Sequence, residues 1–183
     1  MLKSIGMVEY NSVARGIFTS DQMVKTSNVD IVTATTICPG KYITIVHGSV
    51  SEVESALKVG IETAGEFLVD STMISNVHPD IFPAIVSAAM PGQVDALGIL
   101  ESYSLSSMIV AADKVLKSAE LKAIELRLGT GLGGKAFFTF TGSVAAVQSG
   151  VRTGMETIGS ERGLLINAEV IPSPSQEIIQ HLF

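Results

Sequence analysis

The chain has one cysteine, Cys38, and it stands in Thr36-Ile37-Cys38-Pro39-Gly40-Lys41, a Pro-Gly turn between two β-branched runs. A single thiol cannot close an internal disulfide, and no CxxC or HExxH spacing supplies a metal site within one chain. Metal chemistry at Cys38 therefore has to borrow ligands from other subunits. A lone cysteine in a cytoplasmic protein is commonly an inert small hydrophobe. A turn, however, carries its side chains toward the surface, and if this turn lies near a threefold axis, three copies of one thiol converge. Both readings are open on the residues alone.

A second stretch looks chemical at first sight. Gly129-Thr130-Gly131-Leu132-Gly133-Gly134 satisfies GxGxxG, and with Lys135 it nearly satisfies the phosphate-loop pattern. Such loops must run from a strand into a helix whose N-terminal amides hold the phosphate. Here Ala136-Phe137-Phe138-Thr139-Phe140-Thr141 continues as a strand, and Ala136 stands where a phosphate loop needs a hydroxyl for magnesium. The Gly-Lys pair also recurs at Gly40-Lys41, so it belongs to a repeated hairpin rather than to a nucleotide site. His47, His78 and His181 lie in different elements without metal spacing and read as surface or packing residues. Glu9 with Glu101, or Glu62 with Glu156, could be taken for acid and base pairs. Their recurrence at equal positions argues instead for a structural role in each copy. No Ser, His and acid trio stands out, and no enzyme is expected.

Composition narrows the partners. Charged residues are 16% of 183 against 46% hydrophobic, too little charge to cover a monomer's surface, which points to subunit interfaces. Mean hydropathy is +0.43, yet no run approaches the roughly 18 to 20 apolar residues of a spanning helix. Lys3 is followed too soon by Glu9 for a signal-peptide apolar region, so a soluble cytoplasmic protein is expected, with no membrane partner. A net charge of -6, with 12 basic residues spread thinly, gives no footprint for nucleic acid.

The elements that position these residues come as a tandem repeat. An offset of 92 pairs Gly6 with Gly98, Glu9 with Glu101, Ser12 with Ser104, Asp21 with Asp113 and Lys25 with Lys117. After a two-residue insertion the offset is 94, pairing Gly40 with Gly134, Lys41 with Lys135, Ser49 with Ser143 and Gly60 with Gly154. The seam falls at Ala89-Met90-Pro91-Gly92-Gln93, dividing the chain into 1–91 and 92–183. Each copy opens with an alternating strand, at Ile5–Tyr10 and Leu97–Tyr103. A helix follows, over about Val13–Ser27 in the first copy. In the second it carries a stripe of Leu105, Met108, Ile109, Ala112, Val115, Leu116 and Ala119, with Asp113, Lys114 and Lys117 elsewhere. Then come a hairpin, a Ser-capped helix with stripe Val53, Leu57, Ile61, Ala64 or Val147, Val151, Met155, Ile158, a last strand, and a short helix after Pro79 or Pro174. The order βαββαβ is that of a ferredoxin-like α/β (α+β) sheet with a split βαβ unit.

Ile5-Gly6-Met7-Val8-Glu9 and Leu97-Gly98-Ile99-Leu100-Glu101, with Asp21-Gln22-Met23-Val24-Lys25-Thr26-Ser27-Asn28-Val29 and Asp113-Lys114-Val115-Leu116-Lys117-Ser118-Ala119, resemble bacterial microcompartment shell proteins of the tandem-domain class. The resemblance spans essentially the whole chain and, since both copies start on the same strand, points to the non-permuted subclass. The segment from Thr36 to Lys41 most resembles the iron-sulfur-carrying tandem shell proteins of propanediol-utilisation compartments. The resemblance implies a homotrimeric pseudohexamer in the microcompartment shell, tiled edge to edge with other shell proteins. It implies one 4Fe-4S cluster per trimer, ligated by Cys38 from each subunit, for electron transfer across the shell or cluster delivery, with an encapsulated or cytoplasmic redox enzyme as partner. It further places Ile37, Cys38, Pro39, Gly40 and the run Gly129, Thr130, Gly131, Leu132, Gly133, Gly134 at the pore, and Lys25 and Lys117, otherwise plain solvated charges, at the tile edge. One departure touches the edge: where the family often carries Arg after the first Pro of the last segment, this chain has Pro79-Asp80 and Pro172-Ser173. A cluster-free tile with a metabolite pore and a trimeric ferredoxin-like ligand-binding regulator are the alternatives.

Overall fold

A computed structural model describes residues 4–159 and 164–182; Lys3 lies outside the described residues. The first repeat builds β1 (Ser4–Tyr10), α1 (Val13–Thr26), β2 (Asp30–Ile37), β3 (Lys41–Gly48), α2 (Val50–Ala64), β4 (Leu68–Ile74) and α3 (Ile81–Ile85). The second builds β5 (Ala96–Ser102), α4 (Leu105–Ser118), β6 (Leu121–Leu128), β7 (Ala136–Gly142), α5 (Val144–Gly159), β8 (Leu165–Ile171) and α6 (Gln176–Gln180). The two antiparallel sheets have orders β2-β3-β1-β4 and β6-β7-β5-β8, so in each the hairpin's second strand inserts between the strands of a split βαβ. Even the irregularities recur. The β2–β3 ladder slips between Ile31 and Thr33, and β6–β7 slips between Ala123 and Glu125.

Helix starts follow the repeat. Ser12 and Ser104 accept the N–H groups of Arg15 and Ser107 at 3.2 and 3.1 Å. Ser49 accepts from Glu52, and Glu52 reaches back to the Ser49 N–H at 2.9 Å, a complete capping box on α2. Ser143 caps α5 through the Ala146 N–H. The amphipathic stripes differ from expectation by one position. Gly60 and Gly154 lie on the buried faces of α2 and α5, while Ile61 and Met155 are 39% and 41% exposed. The cause is close approach: Val8 and Met23 fill the space over Gly60, and Leu100 fills that over Gly154. On α4 the expected stripe is buried from Leu105 to Leu116, but Asp113, expected away from it, is buried as well.

The chain divides into two compact units. One runs through Val77 and takes in Thr130–Gly133; the other holds His78–Gly129 and Gly134 onward. The repeat restarts near residue 92, whereas the compact units change over at Val77/His78, because α3 packs against β6. In the first unit Val8, Tyr10, Met23, Tyr42, Val46 and Val53 form a core between sheet and helices. In the second, Val94, Leu97 and Ile124 form a smaller cluster, against which Ile179 and Leu182 of the C-terminal segment pack.

Candidate functional site

The two hairpin tips differ at the place where the repeat inserts two residues. In the first copy Ile37 pairs with Lys41, leaving Cys38, Pro39 and Gly40 as the tip. The Cys38–Pro39 peptide is cis and Gly40 has φ +75°, a backbone that suits glycine. Cys38 is a free, half-buried thiol, with Pro39 and Gly40 exposed beside it. In the second copy the Gly129 N–H donates to the Lys135 carbonyl at 3.0 Å, so the tip is Thr130-Gly131-Leu132-Gly133-Gly134. Gly129, Gly131, Gly133 and Gly134 all take positive φ, from 63° to 90°. β7 continues directly from Ala136, which removes the strand-to-helix geometry a phosphate loop requires.

Below each tip stands an ion pair that the sequence reading left unpaired. The Lys41 ammonium donates to Glu9 at 2.7 Å, and Lys135 donates to Glu101 at 3.1 Å. The two pairs are environmentally unequal. Glu9 and Lys41 side chains are 5% and 25% exposed, whereas Glu101 and Lys135 are 36% and 41% exposed. The recurrence of both residues at repeat positions was the available signal. It marks Glu9 and Glu101 as anchors of the hairpin lysines. Glu62 and Glu156 are exposed on α2 and α5.

The other singled-out residues do not gather around Cys38. His47 lies 3.8 Å from Asp30, His78 is half-buried ahead of α3, and His181 is exposed after α6. Among the described residues no group of three His, Cys, Asp or Glu could hold a metal ion. Lys25 is exposed and pairs with Asp21 at 2.6 Å. Lys117 makes the same i,i+4 pair at 2.6 Å, but with an Asp113 side chain only 6% exposed, which also accepts the His78 backbone N–H at 2.8 Å. Lys117 is thus more than a solvated charge: it neutralises a buried carboxylate.

Two successive split-βαβ sheets, with recurrent caps, bulges and hairpin lysines, define a tandem-domain protein, and the chain belongs to the BMC domain family, whose model matches residues 4–77 and 96–174. It is 35% identical over 178 residues to the bacterial microcompartment shell protein PduT of Citrobacter freundii, covering 97% of this chain and 96% of that one. It is similar to the carboxysome assembly protein CcmO of Synechococcus elongatus, 26% identical over 98% of this chain and 68% of CcmO. A crystal structure of a microcompartments protein from Desulfitobacterium hafniense superposes with a TM-score of 0.93 at 43% identity, over 98% of this chain and 99% of the other. The chain is therefore a structural protein of bacterial microcompartment shells, similar to PduT, and its place is the shell. No helix among the described residues is long and apolar enough to cross a membrane.

Proposed function

We propose that the chain forms a homotrimeric tile in which two repeats stand in for two subunits of a hexagon, with a 4Fe-4S cluster at its centre held by Cys38 from each chain. The observation that carries this reading is the inequality of the hairpin tips. The first presents a free thiol at a half-exposed turn, and the second presents only glycines, Thr130 and Leu132. A closed ring of three chains then offers three thiols rather than six. Thiolates are the usual ligands of cubane clusters, and the usual number is four, so three would leave one iron to be completed by water, a solvent ion or a partner's ligand. The donor set of one chain fits the group only through such sharing. When bound, the group supplies one-electron chemistry, for transfer across the shell or for delivery of the cluster itself. The chain's own part is to hold the thiol at the tip, with Lys41 fixed on Glu9 behind it. Neighbouring shell proteins meet the tile at its edges, where Lys25 and Lys117 stand, and a redox enzyme on either side of the shell is the functional partner. No catalytic step is assigned to the chain.

The test is iron and absorbance after anaerobic reconstitution. Wild-type protein is expected to take up iron and show the broad visible absorption of an iron-sulfur cluster, and Cys38→Ser to lose both. Equal iron in the two proteins, or none in either, would leave a cluster-free tile with a metabolite pore.

A further inference from the structure

The two repeats place the same helix in unequal surroundings. On α4, Ile109 is fully buried and the Asp113 side chain is 6% exposed; at the matching positions of α1, Ile17 is 54% exposed and the Asp21 side chain 46% exposed. One contact of α4 shows what α1 lacks. Asp113 accepts the backbone N–H of His78 at 2.8 Å, and His78 comes from the segment that follows the last strand of the first repeat. A repeat-1 tail is thereby tied to a repeat-2 helix.

The second repeat has a matching tail. Pro79 and Pro174 each stand two residues ahead of a five-residue helix, α3 or α6, so Ser173 is the counterpart of His78. Ser173 is exposed, and α6 has no buried residue, whereas α3 buries Ile81 and Ala84. A chain of two repeats has one tail-to-next-helix junction inside it. The end of the second tail packs on its own repeat through Ile179 and Leu182, but the stretch at Ser173 ahead of α6 is exposed, so it and the first helix are the open ends of the same junction: a half-exposed carboxylate acceptor on one, the backbone N–H of an exposed residue on the other.

We propose that Asp21 of each chain accepts a hydrogen bond from the backbone N–H of Ser173 of the partner subunit, so that the tail leading into α6 docks on α1 of the next copy as the tail leading into α3 docks on α4. The occupant of the exposed α1 face is thus a second copy of this chain. The contact runs head to tail, and a ring closes it. This rests on the trimeric reading above and adds the residues that join one chain to the next.

Paired cysteines test it in a Cys38→Ser background. Groups this close suit the roughly 4.4 to 6.8 Å Cα separation of a disulfide. Asp21→Cys with Ser173→Cys is expected, on oxidation, to run as a covalent trimer under denaturing conditions. Asp113→Cys with His78→Cys, the in-chain control, is expected to run as an internally bridged monomer. A native mass of three chains, with the control bridged but no bridge between chains, overturns the contact and leaves the trimer standing. A native mass of one chain overturns the trimeric reading and the contact with it. Asp21→Ala is a second check, because it leaves no acceptor. A hydrogen bond to a charged group is worth enough that the concentration at which the oligomer dissociates should rise ~10-fold or more, with Asp21→Asn, a neutral acceptor, restoring part of it. An unchanged dissociation concentration overturns the contact.

Discussion

At the scale of single residues the two copies share a pattern but not an environment, and the glutamate–lysine pairs separate the two. Removing Lys41 strands the Glu9 carboxylate, which is 5% exposed, and breaking so buried a pair costs about 3 kcal/mol. Removing Lys135 frees a Glu101 that water already reaches, and an exposed pair contributes under about 1 kcal/mol. In urea unfolding, Lys41→Ala is therefore expected to move the midpoint well below wild type, and Lys135→Ala to leave it nearly in place. The recurrence of Glu9 with Glu101 made a structural role legible in the sequence. Its partner was not legible, since residues 32 apart meet only through the β1–β3 register.

Elements show where close packing, rather than apolar content, sets the pattern. A methyl on Gly98 would fall 2.5 Å from the ring of Phe140, which is fully buried and cannot yield. Gly98→Ala is expected to cost about 2 kcal/mol by overpacking. Gly60→Ala meets the flexible Met23 thioether at 2.9 Å and regains helix propensity, so its net effect should stay within about 1 kcal/mol. Thermal unfolding of the two variants makes the comparison. These contacts explain the shifted helix stripes: a reading by hydrophobicity scores Ile61 and Met155 as core and passes over the glycines that touch the sheet. The capping box on α2 was half legible, Ser49 as a cap but Glu52 not as its answer. The Glu52 carboxyl is held below its ordinary value by the Ser49 hydroxyl first, then the Ser49 N–H and the Asn28 amide. Because the folded value lies below the unfolded one, the cap's contribution is present above the ordinary carboxylate range and lost as pH falls through the lowered value. Ser49→Ala should bring the Glu52 titration, followed by NMR, back up toward the ordinary value.

For the whole molecule, the tandem order, the sheet class and the falseness of the GxGxxG match were all legible, because caps, strand starts and the Gly-Lys pair recur in register. The change of offset from 92 to 94 even located the divergence, which falls at the hairpin tips. The change of compact unit at Val77/His78 was not legible: it depends on where α3 settles, and no local pattern records that. In the proposed trimer the duplication also accounts for one cysteine per chain being enough. Two repeats would let such a ring carry unlike turns at alternate positions, three with Cys38 and three with glycines. The most direct test is the mass and iron content of the intact oligomer, purified anaerobically and weighed under native conditions. Three chains with about four irons, the composition of one cubane cluster, is the expected result. An iron-free trimer would contradict the cluster, and a single chain, or six chains bearing iron without Cys38, would contradict the tile itself.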